Sequence, residues 1–169
     1  TVLACLDVDY SPVRTCASCV LFAQWDSKQP TAELLARLTG DAAGYVPGAF
    51  YERELPALLA VLDKLPFTVD VLDALVIDGY VWLGRERPGM GHYLYEATGR
   101  RVPVIGVAKN EFAGNDVALP LLRGESQKPL YVTAVGLDPV DARRAIAWMH
   151  GSSRIPTLLN WVDRACRRG

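Results

Sequence analysis

The sequence predicts an α/β protein in which an antiparallel β-hairpin region is followed by alternating helix and strand, forming one mixed sheet flanked by helices. Three observations carry this. Two early apolar runs are joined by the two-residue turn Ser11-Pro12, too short for a parallel crossover. Later apolar runs, such as Ala74-Leu75-Val76-Ile77, are uninterrupted, as expected of strands covered on both faces. Between and after them, leucines recur at helical spacing.

Residues 2–9 read as a central strand and residues 13–25 as its antiparallel partner. Residues 31–38 stay open between two readings. Leu34, Leu35 and Leu38 have helical spacing, and a third hairpin strand fits equally. Residues 40–48 read as a loop closed by Tyr45-Val46-Pro47-Gly48. Leu55, Leu58, Leu59 and Leu62 then form one helical stripe. Proline is tolerated in a first helical turn, so Pro56 puts the start of the regular helix near Glu54, and Pro66 ends it. After the strand at 74–77, residues 85–91 form a basic loop, 92–98 a short helix, and 102–108 and 130–135 two further strands. Asp138-Pro139 is a helix start, an N-cap followed by proline at the first position. Ala142, Ala145, Ile146 and Met149 give that helix its apolar stripe, and Gly151 breaks it. Ile155, Leu158, Leu159 and Val162 define a last helix that ends in Arg164, Arg167 and Arg168. With no internal repeat or linker, residues 1–169 read as one domain.

Composition narrows the function classes. Of 169 residues, 50% are hydrophobic, enough for a sizeable core, while 22% are charged and the net charge is −1. That balance gives no support to a strongly electrostatic DNA binder, so a nucleic-acid partner would have to be held by metal ions and a local basic patch. No apolar run reaches membrane-spanning length and no N-terminal signal pattern is seen, so no membrane partner is expected. Cys16-Ala17-Ser18-Cys19 has redox or zinc spacing, but no second ligand pair accompanies it. On a strand, a separation of three puts the two thiols on opposite faces. The four cysteines are therefore read as buried structural thiols, which fits a cytoplasmic protein. A monomer is expected.

The chemistry-bearing residues are carboxylates at strand ends. Leu6-Asp7-Val8-Asp9 and Ile77-Asp78-Gly79 both run from apolar strand into acid. An ionised Asp is costly there unless the strand end opens into a cleft, which is where ligands bind in open α/β sheets. Two such ends, with Glu54 nearby, point to hard divalent cations. Each also has a purely structural reading. Asp7 can cap the Ser11-Pro12 turn, Asp78 can serve the turn before Gly79, and Glu54 can favour a helix N-terminus. Asp9 shares the face of Asp7 and is either a further ligand or a solvated hairpin residue. Arg85, Arg87, Arg100 and Arg101 form either a backbone-binding rim or an ordinary solvated face.

Taken in order, Leu6-Asp7-Val8, Tyr45-Val46-Pro47-Gly48, Arg53-Glu54 with Pro56, Asp78-Gly79 and Ile105-Gly106-Val107-Ala108-Lys109 resemble the endonuclease V family. The resemblance implies a ribonuclease H-like fold. It also implies a Mg²⁺-dependent endonuclease (Mn²⁺ as an alternative) that cleaves a phosphodiester near a deaminated base, chiefly inosine, in DNA or RNA during nucleic-acid repair. By position, Asp7, Glu54 and Asp78 resemble the catalytic, metal-binding carboxylates, and Lys109 resembles the family's lysine beside the scissile phosphate. Tyr45, Val46 and Pro47 resemble the wedge that enters the duplex, and Gly48, Gly79 and Gly89 parts of the pocket for the flipped base. The family's histidine ahead of the penultimate helix is absent. Asp138, beside the vacant position, is either a replacement metal ligand or the helix N-cap. The segment between Lys109 and Pro129 is also shorter than usual. These departures motivate two alternatives: a nuclease-fold module that binds inosine-containing nucleic acid with weak or lost cleavage, and a phosphoesterase acting on another substrate.

Overall fold

In the computed structural model, residues 1–39 and 50–168 are described, with side chains for 1–39 and 54–167. The first three strands, β1 (Leu3–Tyr10), β2 (Arg14–Phe22) and β3 (Ala32–Thr39), form an antiparallel meander. The segment left open between helix and strand is thus a strand. Its leucines pack on the sheet edge, where Leu34 and Leu35 lie opposite Cys19 and Ser18 of β2. Helix α1 (Phe50–Leu62) leads to β4 (Ala74–Asp78), and the short ribbon β5 (Trp82–Gly84) and β6 (Arg87–Pro88) precedes α2 (Met90–Ala97). Then come β7 (Val104–Ala108), β8 (Leu119–Leu121), β9 (Leu130–Val135), α3 (Pro139–Trp148) and α4 (Thr157–Ala165). Seven strands make one sheet in the order β3-β2-β1-β4-β7-β9-β8. Strands β1, β4 and β7 run parallel at its centre, and β9 and β8 close it antiparallel.

Two expectations need correction. Helix α1 begins at Phe50, so Pro56 lies inside it, not in its first turn. The forfeited N–H is outweighed by burial of Ala57, Leu58, Val61 and Leu62, worth about 2 kcal/mol for each larger side chain. The basic loop at 85–91 contains part of the β5–β6 ribbon, and β8 is a strand the pattern did not reveal, because Leu-Pro-Leu is too short to show alternation.

Strand parity sorts the core into two layers. Ala4, Leu6, Leu75 and Ile77 face α1 and α2. Leu3, Cys5, Ala74, Val76, Ile105 and Val107 face α3 and α4. Continuing the second series one pleat further along each strand gives Asp7, Asp78 and Lys109, so all three head toward α4. Among the described residues, no helix is long and apolar enough to cross a membrane.

The cysteines also depart from expectation. Cys5 and Cys19 are buried free thiols, but Cys16 is bonded to Cys166 across 150 residues of chain. The C-x-x-C pair is not joined, in keeping with its opposite faces. The disulfide withdraws the support that four free thiols gave to a cytoplasmic location.

Candidate metal centre

Strands β1 and β4 are parallel neighbours with Leu6 beside Ile77, so the next residue on each brings Asp7 next to Asp78. A third carboxylate arrives from α4. Leu158, Leu159, Val162 and Ala165 bury that helix against the sheet, which leaves Asp163 at the rim of the buried stripe. Two β2 side chains of the same parity fix its height. The Ser18 hydroxyl donates to the Val162 carbonyl at 2.7 Å, and Cys16 holds Cys166. Oxygens of Asp7, Asp78 and Asp163 consequently lie within 4.8 Å of one another.

The electrostatics follow from that crowding. Burial first, then the charge of Asp78, then a hydrogen bond with Asp163, raise the Asp7 carboxyl from 3.8 to about 8; the Val8 N–H, which donates to it at 2.8 Å, opposes the rise. Lys109 supplies positive charge on the outer side, with Nζ 3.1 Å from Asp78 Oδ2. Asp7 and Asp78 open onto a cleft of about 180 Å³ lined also by Leu6, Val8, Glu54, Leu58, Ile77 and Met90. Glu54 reaches this cleft from α1, which packs on the opposite face of the sheet. It therefore lines the wall and does not join the tight trio. A larger cleft of about 380 Å³ lies beside Trp82, Val117 and Pro139, and includes none of these acids.

Three hard oxygen donors at this spacing suit a small divalent cation. Such a cation would offset the burial and the neighbouring carboxylate charge that raise Asp7.

A model of the endonuclease V family matches residues 1–157. The chain belongs to the endonuclease V family. An Endonuclease V of Streptomyces coelicolor is 43% identical over 145 residues, covering 73% of this chain. The chain spans 59% of that relative's length. The solved Endonuclease V of Streptomyces avermitilis has a TM-score of 0.78 at 29% identity, covering 99% of this chain and 80% of its own. Endonuclease V of Ciona intestinalis, solved with a 23mer DNA containing an inosine followed by a ribo-adenosine, has a TM-score of 0.80 at 16% identity. That match covers 99% of this chain and 84% of the Ciona chain, and it bears on the fold alone. The sheet and its helices are those of the ribonuclease H-like endonuclease V fold.

Of the residues singled out by the endonuclease V resemblance, Asp7, Asp78 and Lys109 come together at one strand end, with Glu54 on the cleft wall. Asp138 does not join them. Its carboxylate accepts from the Val140 N–H at 2.7 Å and caps α3, because a helix starting Asp-Pro-Val turns that side chain back onto its own first turn. Gly79 has φ +138°, a conformation that favours glycine, and the side a β-carbon would occupy is open. Gly89 is different, since a β-carbon there would meet the Tyr80 carbonyl oxygen at 2.6 Å. Its lack of a side chain serves the packing of α2 against that backbone. Tyr45, Val46, Pro47 and Gly48 lie outside the described residues. The sequence reading missed Asp163. The available signal is an acid directly beside Val162, a member of the apolar stripe Ile155, Leu158, Leu159 and Val162 that defines the last helix.

Proposed function

We propose that the chain is a divalent-metal-dependent endonuclease domain, spanning residues 1–169, that cleaves a phosphodiester near inosine in DNA or RNA. The observation that carries this reading is the convergence of Asp7, Asp78 and Asp163 beside Lys109 at the open end of the parallel strands. Asp7, Asp78 and Asp163 would hold the cation, Mg²⁺ or Mn²⁺, with Glu54 adding negative charge from the wall. When bound, a divalent cation supplies the charge that acidifies water and neutralises the leaving oxygen. Lys109 carries an ammonium paired to Asp78 at the mouth of the site, suited to the extra negative charge a phosphate gains as it is attacked. The open flank of Gly79, next to Asp78, gives a planar base close access to backbone. Support for inosine as the recognised base comes from family membership and from the inosine-containing DNA bound by the Ciona protein.

The test is a nicking assay with four substrates, namely intact duplex, mismatched duplex, deoxyinosine duplex and inosine-containing RNA, each with Mg²⁺ and with chelator. Cation-dependent nicking confined to inosine strands is expected. Inosine-selective binding without cleavage would favour the binding module, and cleavage indifferent to inosine would favour the other phosphoesterase.

A further inference from the structure

Lys109 is the first residue after β7, where a chain leaving a sheet is ordinarily free to move. Here the segment that Lys109 opens is gripped from two sides. On one side stands Tyr80, two residues beyond Asp78. Its hydroxyl donates to the Asn110 carbonyl at 2.6 Å and accepts from the Phe112 N–H at 3.1 Å, while its ring meets Phe112 edge-on at 6.2 Å. On the other side stands Arg154, in the α3–α4 connection. Its guanidinium donates to the carbonyls of Lys109, Lys128 and Pro129, and Lys128 Nζ in turn donates to Asn110 Oδ1 at 3.0 Å. The connection carrying Arg154 is itself clamped. Arg123, 6% exposed, donates to the carbonyls of Met149, Gly151, Ser153 and Arg154. No carboxylate is among those partners, so the guanidinium is given over to backbone.

We infer that Tyr80 and Arg154 are positioning residues that hold Lys109 at the Asp78 side of the cleft. The inference rests on the proposed nuclease reading. An ammonium on a four-carbon stem is useful to a reacting phosphate only if its backbone is fixed, and a displacement of an ångström at such a group is costly. Tyr80 is well suited to the role. It stands one residue past Gly79 from the strand-end acid, so the hydroxyl that orders the Lys109 segment and the carboxylate that faces Lys109 come from the same short stretch of chain.

Two readouts test this. Steady-state nicking of a deoxyinosine strand is compared for wild type, Tyr80→Phe, Arg154→Gln, Lys109→Ala and the Tyr80→Phe/Lys109→Ala pair. Tyr80→Phe and Arg154→Gln should each lower kcat about tenfold with KM within about twofold, and Tyr80→Phe should cost nothing further once Lys109 is gone. Arg154→Lys, which cannot reach three carbonyls with a planar fork, should recover little. The second readout is amide hydrogen exchange without metal or substrate, in which Phe112 should exchange about tenfold faster in Tyr80→Phe. Unchanged kcat in both single variants, or a Tyr80→Phe loss that multiplies in full with Lys109→Ala, or unaltered exchange at Phe112, would overturn the inference. A wild-type protein that cuts no inosine strand would instead overturn the nuclease reading, and the exchange readout would still decide whether Tyr80 holds the Lys109 segment.

Discussion

Carboxylate oxygens of Asp7 and Asp163 lie within 4.8 Å of each other although one belongs to the first strand and the other to the last helix. Burial and the neighbouring acids disfavour the charged form of Asp7, so a cation held among the three would compete with its proton. The site therefore joins the two ends of the fold, and its integrity reports on how α4 is docked.

Asp163→Asn should be as damaging as loss of either strand carboxylate. Removing one of three oxygen donors is expected to weaken Mn²⁺ binding about 100-fold, since even indirect supports of metal ligands cost about 10–100-fold. Isothermal titration with Mn²⁺ reads this directly. Affinity within about threefold of wild type would remove Asp163 from the site.

Asp7→Asn should stabilise the metal-free fold while abolishing nicking. The amide keeps the shape and the Val8 hydrogen bond but removes the charge that burial and Asp78 oppose. A gain of about 1 kcal/mol near pH 8 in chemical denaturation is expected, the usual exchange of activity for stability at a strained site. A loss of stability would mean that the carboxylate has a structural partner.

The pH dependence has a definite sign. Folded Asp7 holds its proton up to about 8, whereas the unfolded residue releases it near 3.8. Between those values the folded state binds more protons, so this residue's contribution to stability falls as pH rises. It is complete below the lower value and gone above the upper one. In chelator, the melting temperature of wild type relative to Asp7→Asn should decline from pH 4.5 to 8.5. A constant difference would contradict the raised value.

Reduction of Cys16–Cys166 should lower stability by about 2–4 kcal/mol, because the bond closes a loop of nearly the whole chain in the unfolded state. Thermal melts with and without dithiothreitol measure it. Under denaturing, non-reducing conditions thiol titration should find two free groups, those of Cys5 and Cys19, and finding four would rule the bond out.

Much of this was legible in the sequence for local reasons. Asp138-Pro139 announces its helix because capping is decided within four residues, and Asp7 and Asp78 stand out because an acid following an apolar strand run is costly, although β1 itself continues past Asp7 to Tyr10. What stayed hidden depends on contacts between distant segments. Asp163 joins the site through the docking of α4 on β1 and β2, and Cys16 reaches Cys166 by the same docking. The choice between cap and ligand at Asp138 turned on side-chain direction, which spacing does not encode. Residues 31–38 looked ambiguous because pairing with β2, not propensity, makes them a strand.

The most direct measurement is a crystal soaked in Mn²⁺ and recorded for anomalous scattering. One peak is expected between Asp7, Asp78 and Asp163, about 2.0–2.2 Å from at least two of their oxygens, as small hard cations require. Clear density for the three side chains with no peak among them, or a peak elsewhere in the molecule, would contradict it.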